Sequence, residues 1–256
     1  MLTCLSLNTG GLGRFGNQCF SLASTLGIAV KNNQPYAFPH WRTVDNALFG
    51  NPIDDMEQFF VNPLPRIPEG LQWQDIPYHW EYRDYNLPDG NWNICSHLQD
   101  ERYFKHCMPL IRETFRMKDE GPLVDAVAVH YRAGDYIDDP KAYHPRCSME
   151  YYIQAAHSFP EGTKFVIFSD DIKHASNIFA DAGWIHEQEY NDETTYIEDF
   201  RLMKRFKHFI TANSSFSLFA AIIGEHPEKK IVCPARWFGE AAGGMKMEYP
   251  EGAIVI

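Results

Sequence analysis

From residue 122 onward, short β-branched runs alternate with segments of helical spacing. This alternation constrains the fold more than any other feature, because strands separated by helices pair in parallel and give an α/β sheet. The spacing predicts strands over 125–131, 164–168, 208–211 and 231–233, and helices over 148–157, 172–180, 196–206 and 215–223. In the first of these strands Val127, Val129 and Tyr131 share one face, while His130 and Arg132 share the other. Gly183 reads as the C-cap of the helix over 172–180, and Asn213-Ser214 as the N-cap of the helix over 215–223. At the other end of the chain, residues 2–7 read as a buried strand running into a glycine loop, Gly10 to Gly16. Cys19, Leu22, Ala23, Leu26 and Val30 then fall at helical spacing, which predicts a helix over 17–31. Between Pro52 and Asn93 the chain is rich in proline, tryptophan, tyrosine and asparagine and reads as loops and turns. The change of texture divides the chain into 1–122, 123–233 and a tail, 234–256.

Composition narrows the function classes. Of 256 residues, 23 are Lys or Arg and 34 are Asp or Glu, a net charge of −11. Such a surface repels phosphate backbones and excludes a dedicated nucleic-acid binder, although a small phosphorylated ligand needs only a few local donors. Phe216 to Ile223, with Ser217 inside it, is the longest apolar run and falls far short of a membrane span. No basic start leads into an apolar stretch, so no secretory signal is expected and the expected location is cytoplasmic. The six cysteines, Cys4, Cys19, Cys95, Cys107, Cys147 and Cys233, form no C-x-x-C pair and read as buried free thiols of a reducing compartment.

Three segments sit where a strand ends and a helix begins: His130 to Tyr136, Phe168 to Asp171, and Ala212 to Ser217. Ligands of open α/β sheets bind in the crevice that such segments form. Arg132 suits a bidentate grip on a diphosphate, and backbone N–H groups and hydroxyls at Ser214 and Ser215 add neutral donors at a helix N-terminus. Each feature has a plainer reading as well. Arg132 serves equally as a structural ion pair, for instance with Asp135. Asp170-Asp171 suits a divalent metal, but more commonly represents an N-cap followed by a first-turn acid. His130 reads as a packed, hydrogen-bonded orienter rather than a proton shuttle. Trp41, Trp73, Trp80 and Trp92 offer stacking faces for sugars, yet most such aromatics form a core.

Several chemistries are excluded by missing patterns. The glycine loop lacks G-x-G-x-x-G with an acid about 20 residues on, and no G-K-[ST] follows it. There is no G-x-S-x-G elbow. The eleven histidines give no H-E-x-x-H, and Cys95-Ser96-His97 lacks partners at zinc spacing.

The order of motifs resembles the α-1,2-fucosyltransferases of glycosyltransferase family 11. Gly13-Arg14-Phe15-Gly16-Asn17-Gln18 resembles the family's G-x-x-G-N-Q. Residues 96–104 resemble F-Q-S-E-x-Y-F in weakened form, and His130 to Tyr136 resembles H-x-R-R-G-D-Y. Phe168 to Asp171 matches F-S-D-D, Ala212 to Ala221 resembles S-N-S-T-F-S-W-W-A-A, and Pro234 to Phe238 resembles the closing P-x-x-W-F. The resemblance implies a GT-B fold, with two Rossmann-like domains facing across a cleft: 1–122 on the acceptor side and 123–233 binding the GDP-sugar. It implies GDP-fucose as co-substrate, transfer with inversion to a glycan hydroxyl, O2 of galactose, and no essential metal or other cofactor. On the donor side it implies Gly13, Asn17, Gln18, His130, Arg132, Asp170, Asn213, Ser214, Ser215, Phe216 and Ser217, with Arg132 on the diphosphate. For catalysis, Arg132 offsets the charge growing on the leaving group and Asp135 is the candidate base. Ala133 stands where the family has its second arginine, Leu218 and Phe219 replace paired tryptophans, and the first half is short and divergent. Two alternatives remain open: a transferase using another nucleotide sugar, and an inactive nucleotide- or glycan-binding relative.

Overall fold

A computed structural model of the chain describes residues 1–9, 13–43, 53–136, 138–139, 141–182, 184, 188–191 and 195–256. Gly10, Gly11 and Leu12 of the glycine loop, Pro52, Pro140 and the expected cap Gly183 lie outside the described residues. The chain forms two compact units, Met1–Glu120 and Gly121–Ile256.

In the first unit β1 (Leu2–Thr3) leads to α1 (Phe15–Lys31); β2 (Gln74–Ile76), β3 (Trp92–Ile94) and α2 (Met108–Thr114) follow. The strands form a parallel sheet in the order β1-β3-β2. The strand expected over residues 2–7 stops after Thr3, and Leu5–Leu7 coil into a 3-10 turn. A side chain ends the ladder: Leu5 N–H donates to Asn93 Oδ1 at 2.9 Å, while Leu7 N–H turns back to Cys4 O. Helix α1 is buried nearly all round, as a helix through a core must be. Its Gly27 makes this possible, since a Cβ there would stand 2.2 Å from Tyr103 O and 2.7 Å from Phe104 Cα. Trp41 belongs to the core of this unit, packed against Phe15, Phe60 and Phe115.

The second unit runs β4 (Val124–Tyr131), α3 (Met149–Ala156), β5 (Phe165–Ser169), α4 (Ile172–Asp181), β6 (Gln188–Tyr190), α5 (Tyr196–Met203), β7 (Phe206–Ile210), α6 (Ser215–Ile223), β8 (Ile231–Cys233) and β9 (Ile254–Val255). All six strands pair in parallel, in the order β6-β5-β4-β7-β8-β9. Counted by position in the chain this is 3-2-1-4-5-6, the strand order of the doubly wound nucleotide-binding sheet, with its reversal between β4 and β7. Val127, Val129 and Tyr131 pack under α3 and α4 against Tyr152, Ala155, Ala175 and Phe179. The helix expected over 196–206 ends at Met203, because Phe206 pairs with Val124 and begins β7. Residues 234–256 return to the sheet, where β9 pairs with β8. The last carbonyls of α6 are capped by Lys229, whose Nζ donates to Ala221 O, Ile222 O and Gly224 O at 2.6–3.0 Å. All six cysteines are free thiols, and burial pushes Cys4 and Cys147 up to about 11 and Cys233 to about 12. No helix among the described residues is long and apolar enough to cross a membrane.

Candidate active site

In the second unit the ends of β4 and β5 and the start of α6 come together. Registers Tyr131↔Ser169 and Val129↔Ile210 bring the loops after β4, β5 and β7 out at one edge of the sheet. Arg132, the first residue past β4, is 13% exposed at its side chain. Its Nη2 pairs with Asp135 Oδ1 at 2.7 Å, and its Nη1 with Asp170 Oδ2 at 2.5 Å. The other oxygen of Asp170 accepts Ala133 N–H at 2.8 Å, so this carboxylate is held from two sides. Asp171 faces the other way and caps α4 through His174 N–H at 2.9 Å. The acid pair thus divides its work between a cap and a guanidinium clamp. Arg132 also lies over the Tyr136 ring, 5.4 Å from its centroid, and Tyr136 donates its hydroxyl proton to Asn213 O at 2.9 Å.

His130 bridges the strand-order reversal. Its Nδ1 lies 2.9 Å from Ser217 Oγ, which itself donates to Ser214 O at 3.3 Å. With its hydrogen spent on that carbonyl, the hydroxyl accepts from Nδ1–H. The His130 ring packs on Phe216, with centroids 5.6 Å apart. Burial pushes its pKa down to about 4, against the smaller opposite pull of Asp170. The unfolded chain therefore takes up this proton near pH 6.5 and the folded chain only near pH 4. Stability contributed by neutral His130 is complete above pH 6.5 and falls as pH drops through that window, by roughly 3 kcal/mol in all. His79, His144 and His208 are shifted down by burial too and add in the same direction. Urea midpoints measured at pH 7.5, 6 and 5 should fall in that order, and His130→Gln should flatten the trend.

Asn213 spends its amide on Pro145 O and Trp237 O, both at 2.9 Å, and its Oδ1 accepts from Cys147 Sγ. Ser214 occupies the N-cap position of α6, but its side chain makes no capping bond, so the expected side-chain cap is absent. Ala133 is 3% exposed within the apolar cluster under the sheet, where an arginine would not fit without rearrangement. Of the later acids and bases in the loop, Asp138 pairs with Arg146 at 2.8 Å, and His144 stacks on Tyr136 at 5.2 Å.

The three residues picked out near α1 lie in the first unit. Gln18, 1% exposed, accepts Trp41 Nε1–H at 2.8 Å and donates to Gly13 O, and Asn17 accepts from Gln99 at 2.8 Å. Gly13 has φ +86°, a left-handed turn that glycine accommodates. The same unit brings His40, Asp55 and Glu57 within 4.8 Å of one another, a grouping that could hold a metal ion, but Arg66 already pairs with Glu57 at 2.6 Å. Sequence reasoning missed the Arg132–Asp170 clamp and the Tyr136–Asn213 bond; both join residues far apart in the chain.

The model of the family described as Glycosyl transferase family 11 matches residues 11–236. The chain belongs to glycosyltransferase family 11. This is the family that the ordered motifs resemble. Among similar proteins of Escherichia coli, an alpha-1,2-colitosyltransferase is 31% identical over 168 residues, covering 58% of this chain and 57% of its own length. The O-antigen biosynthesis glycosyltransferase WbnK is 35% identical over 120 residues, 44% of this chain and 39% of its own. The chain thus spans little more than half the length of one of these relatives and less than half of the other.

Proposed function

We infer that the chain is an inverting glycosyltransferase that moves L-fucose from GDP-fucose to a glycan hydroxyl, O2 of a galactose unit. In this reading it works as a GT-B enzyme in the cytoplasm, without an essential metal. Residues 1–122 take the acceptor side and 123–233 hold the GDP-sugar. The observation that carries the reading is Arg132, held at the strand-order reversal between Asp135 and Asp170 beside the start of α6. Gly13, Asn17 and Gln18 join the donor set through their motif alone.

The chemistry follows from charge. The bond from fucose C1 to the β-phosphate oxygen breaks and leaves its electron pair on the diphosphate, while the acceptor oxygen attacks C1 from the opposite face. Arg132 and the first amides of α6 offset the growing negative charge. One guanidinium between two carboxylates gives the site a local charge of −1, so an arriving diphosphate competes for Arg132. Asp135 is the partner that yields, because Asp170 is also anchored by Ala133 N–H and Asp135 is more exposed. Released from Arg132, Asp135 takes the proton of the acceptor hydroxyl. Asp135→Asn should keep GDP binding and lower turnover by about 10²-fold or more; unchanged turnover would remove Asp135 from the base role.

The test is titration with GDP-fucose followed by linkage analysis of the product on a lactose-type acceptor, with and without EDTA. An α-1,2-fucosyl product in both samples is expected. The name of the colitosyltransferase relative favours one second reading, the same linkage made with a different deoxy sugar. GDP release with other sugars but not with fucose would select it.

A further inference from the structure

We propose that the hollow behind the closing Trp237-Phe238 pair takes the base of a guanine nucleotide, with Arg236 donating to the O6 and N7 edge. The proposal rests on the GDP-sugar reading above and assigns the closing motif a task that the transfer chemistry leaves open.

The hollow measures about 340 Å³ and is lined by Arg236, Trp237, Phe238, Met245, Lys246 and Met247. Arg236 is exposed and makes no hydrogen bond or ion pair among the described residues, on a chain whose net charge is −11. A guanidinium without a carboxylate is thus available to a ligand. Trp237 is committed elsewhere: its ring is buried against Tyr249, and its carbonyl is held by Asn213. Phe238 is half-buried, held edge-on by Tyr143 at 5.6 Å and at a tilt of 33° by His144 at 5.5 Å. Tyr143 also donates to Met245 Sδ at 3.3 Å, which fixes a second wall. The hollow therefore pairs a donor-only fork with a positioned aromatic ring and polarisable thioethers.

Its place suits a nucleoside diphosphate. Asn213, which holds Trp237 O, precedes Ser214, the N-cap residue of α6. From Arg132 the contacts run through Tyr136, at 5.4 Å, and His144, at 5.2 Å, to Phe238. A diphosphate held at Arg132 and α6 is joined to the hollow by this run of contacts, and the proposal sets the base there. Guanine presents two acceptors, O6 and N7, to an arginine fork; adenine has an amino donor in place of O6, which the fork cannot match. Stacking on Phe238 supplies affinity for any base, and Arg236 supplies the choice.

The full chain is titrated with GDP, ADP, UDP and 7-deaza-GDP, following Trp fluorescence, as wild type and as Arg236→Ala, Arg236→Lys and Phe238→Leu. Wild type should prefer GDP over ADP by about tenfold or more. Arg236→Ala should erase that preference by weakening GDP alone, Arg236→Lys should not restore it, and 7-deaza-GDP should bind wild type more weakly than GDP. Phe238→Leu should weaken GDP and ADP together. If Arg236→Ala keeps the preference, or alters only acceptor binding, the base lies elsewhere; wild-type GDP binding and fucose transfer would leave the donor reading standing. A wild type that binds UDP but not GDP overturns both.

Discussion

Arg132→Ala is expected to lower sugar transfer by about 10²–10³-fold, the usual cost of removing one preorganised donor to a developing anion. The loss should fall on the transfer step and on GDP binding together, since in the proposed role the guanidinium faces a diphosphate in both ground and transition states. Removing it also leaves Asp135 and Asp170 facing one another without a counter-charge. Part of the loss could therefore come from repulsion of the incoming phosphates. Arg132→Lys separates the two effects. Lysine keeps the positive charge but cannot span both carboxylates as a fork. Recovery of GDP binding with turnover still low would identify fork geometry as the catalytic element. Steady-state kinetics and a thermal melt on each variant read the outcome; near-normal turnover in Arg132→Ala would remove this residue from the reaction.

Gly27→Ala is expected to be the most damaging single-methyl substitution in the first unit. Helix propensity alone favours alanine by about 1 kcal/mol. The contacts oppose it: the added Cβ would stand 2.2 Å from Tyr103 O and 2.8 Å from Phe104 Cβ, and His106 Nε2 lies 3.1 Å from Gly27 O. The 2.2 Å contact is with main chain, so neither α1 nor the turn at 101–103 relieves it by changing a rotamer. Ser24 also ties the helix to the next segment by donating to Leu98 O at 2.8 Å. A net loss of about 3 kcal/mol follows, at the upper end of overpacking costs. For a chain of this size that lowers the melting midpoint by roughly 6–12 °C. A melt within about 2 °C of wild type would mean that the helix and the turn separate easily.

What the chain reveals before folding depends on the distance between partners. The β4 pattern is readable because alternation is local: Val127, Val129 and Tyr131 reach the apolar cluster, while His130 meets α6 from the opposite face. Helices α3, α4 and α6 fall within a residue or so of expectation, since caps and periodicity are also local. Gln74–Ile76 and Ile254–Val255 carry no such signal. They are two or three residues long, and only the neighbouring strand makes them strands. Met108–Thr114 is hidden for a related reason, being a seven-residue helix with Pro109 at its start. In the candidate site the Arg132–Asp135 pair is legible at a spacing of three. The Asp170 half of the clamp is not, because it depends on Tyr131 aligning with Ser169.

The ammonium of Lys229 at the far end of α6 has a consequence for the near end. A helix ordinarily presents two opposite partial charges, and a polyanion drawn to one is repelled by the other. Here a fixed cation neutralises the carbonyl pole. An approaching polyanion therefore meets α6 as a single positive pole, directed at the place where the sheet reverses its winding.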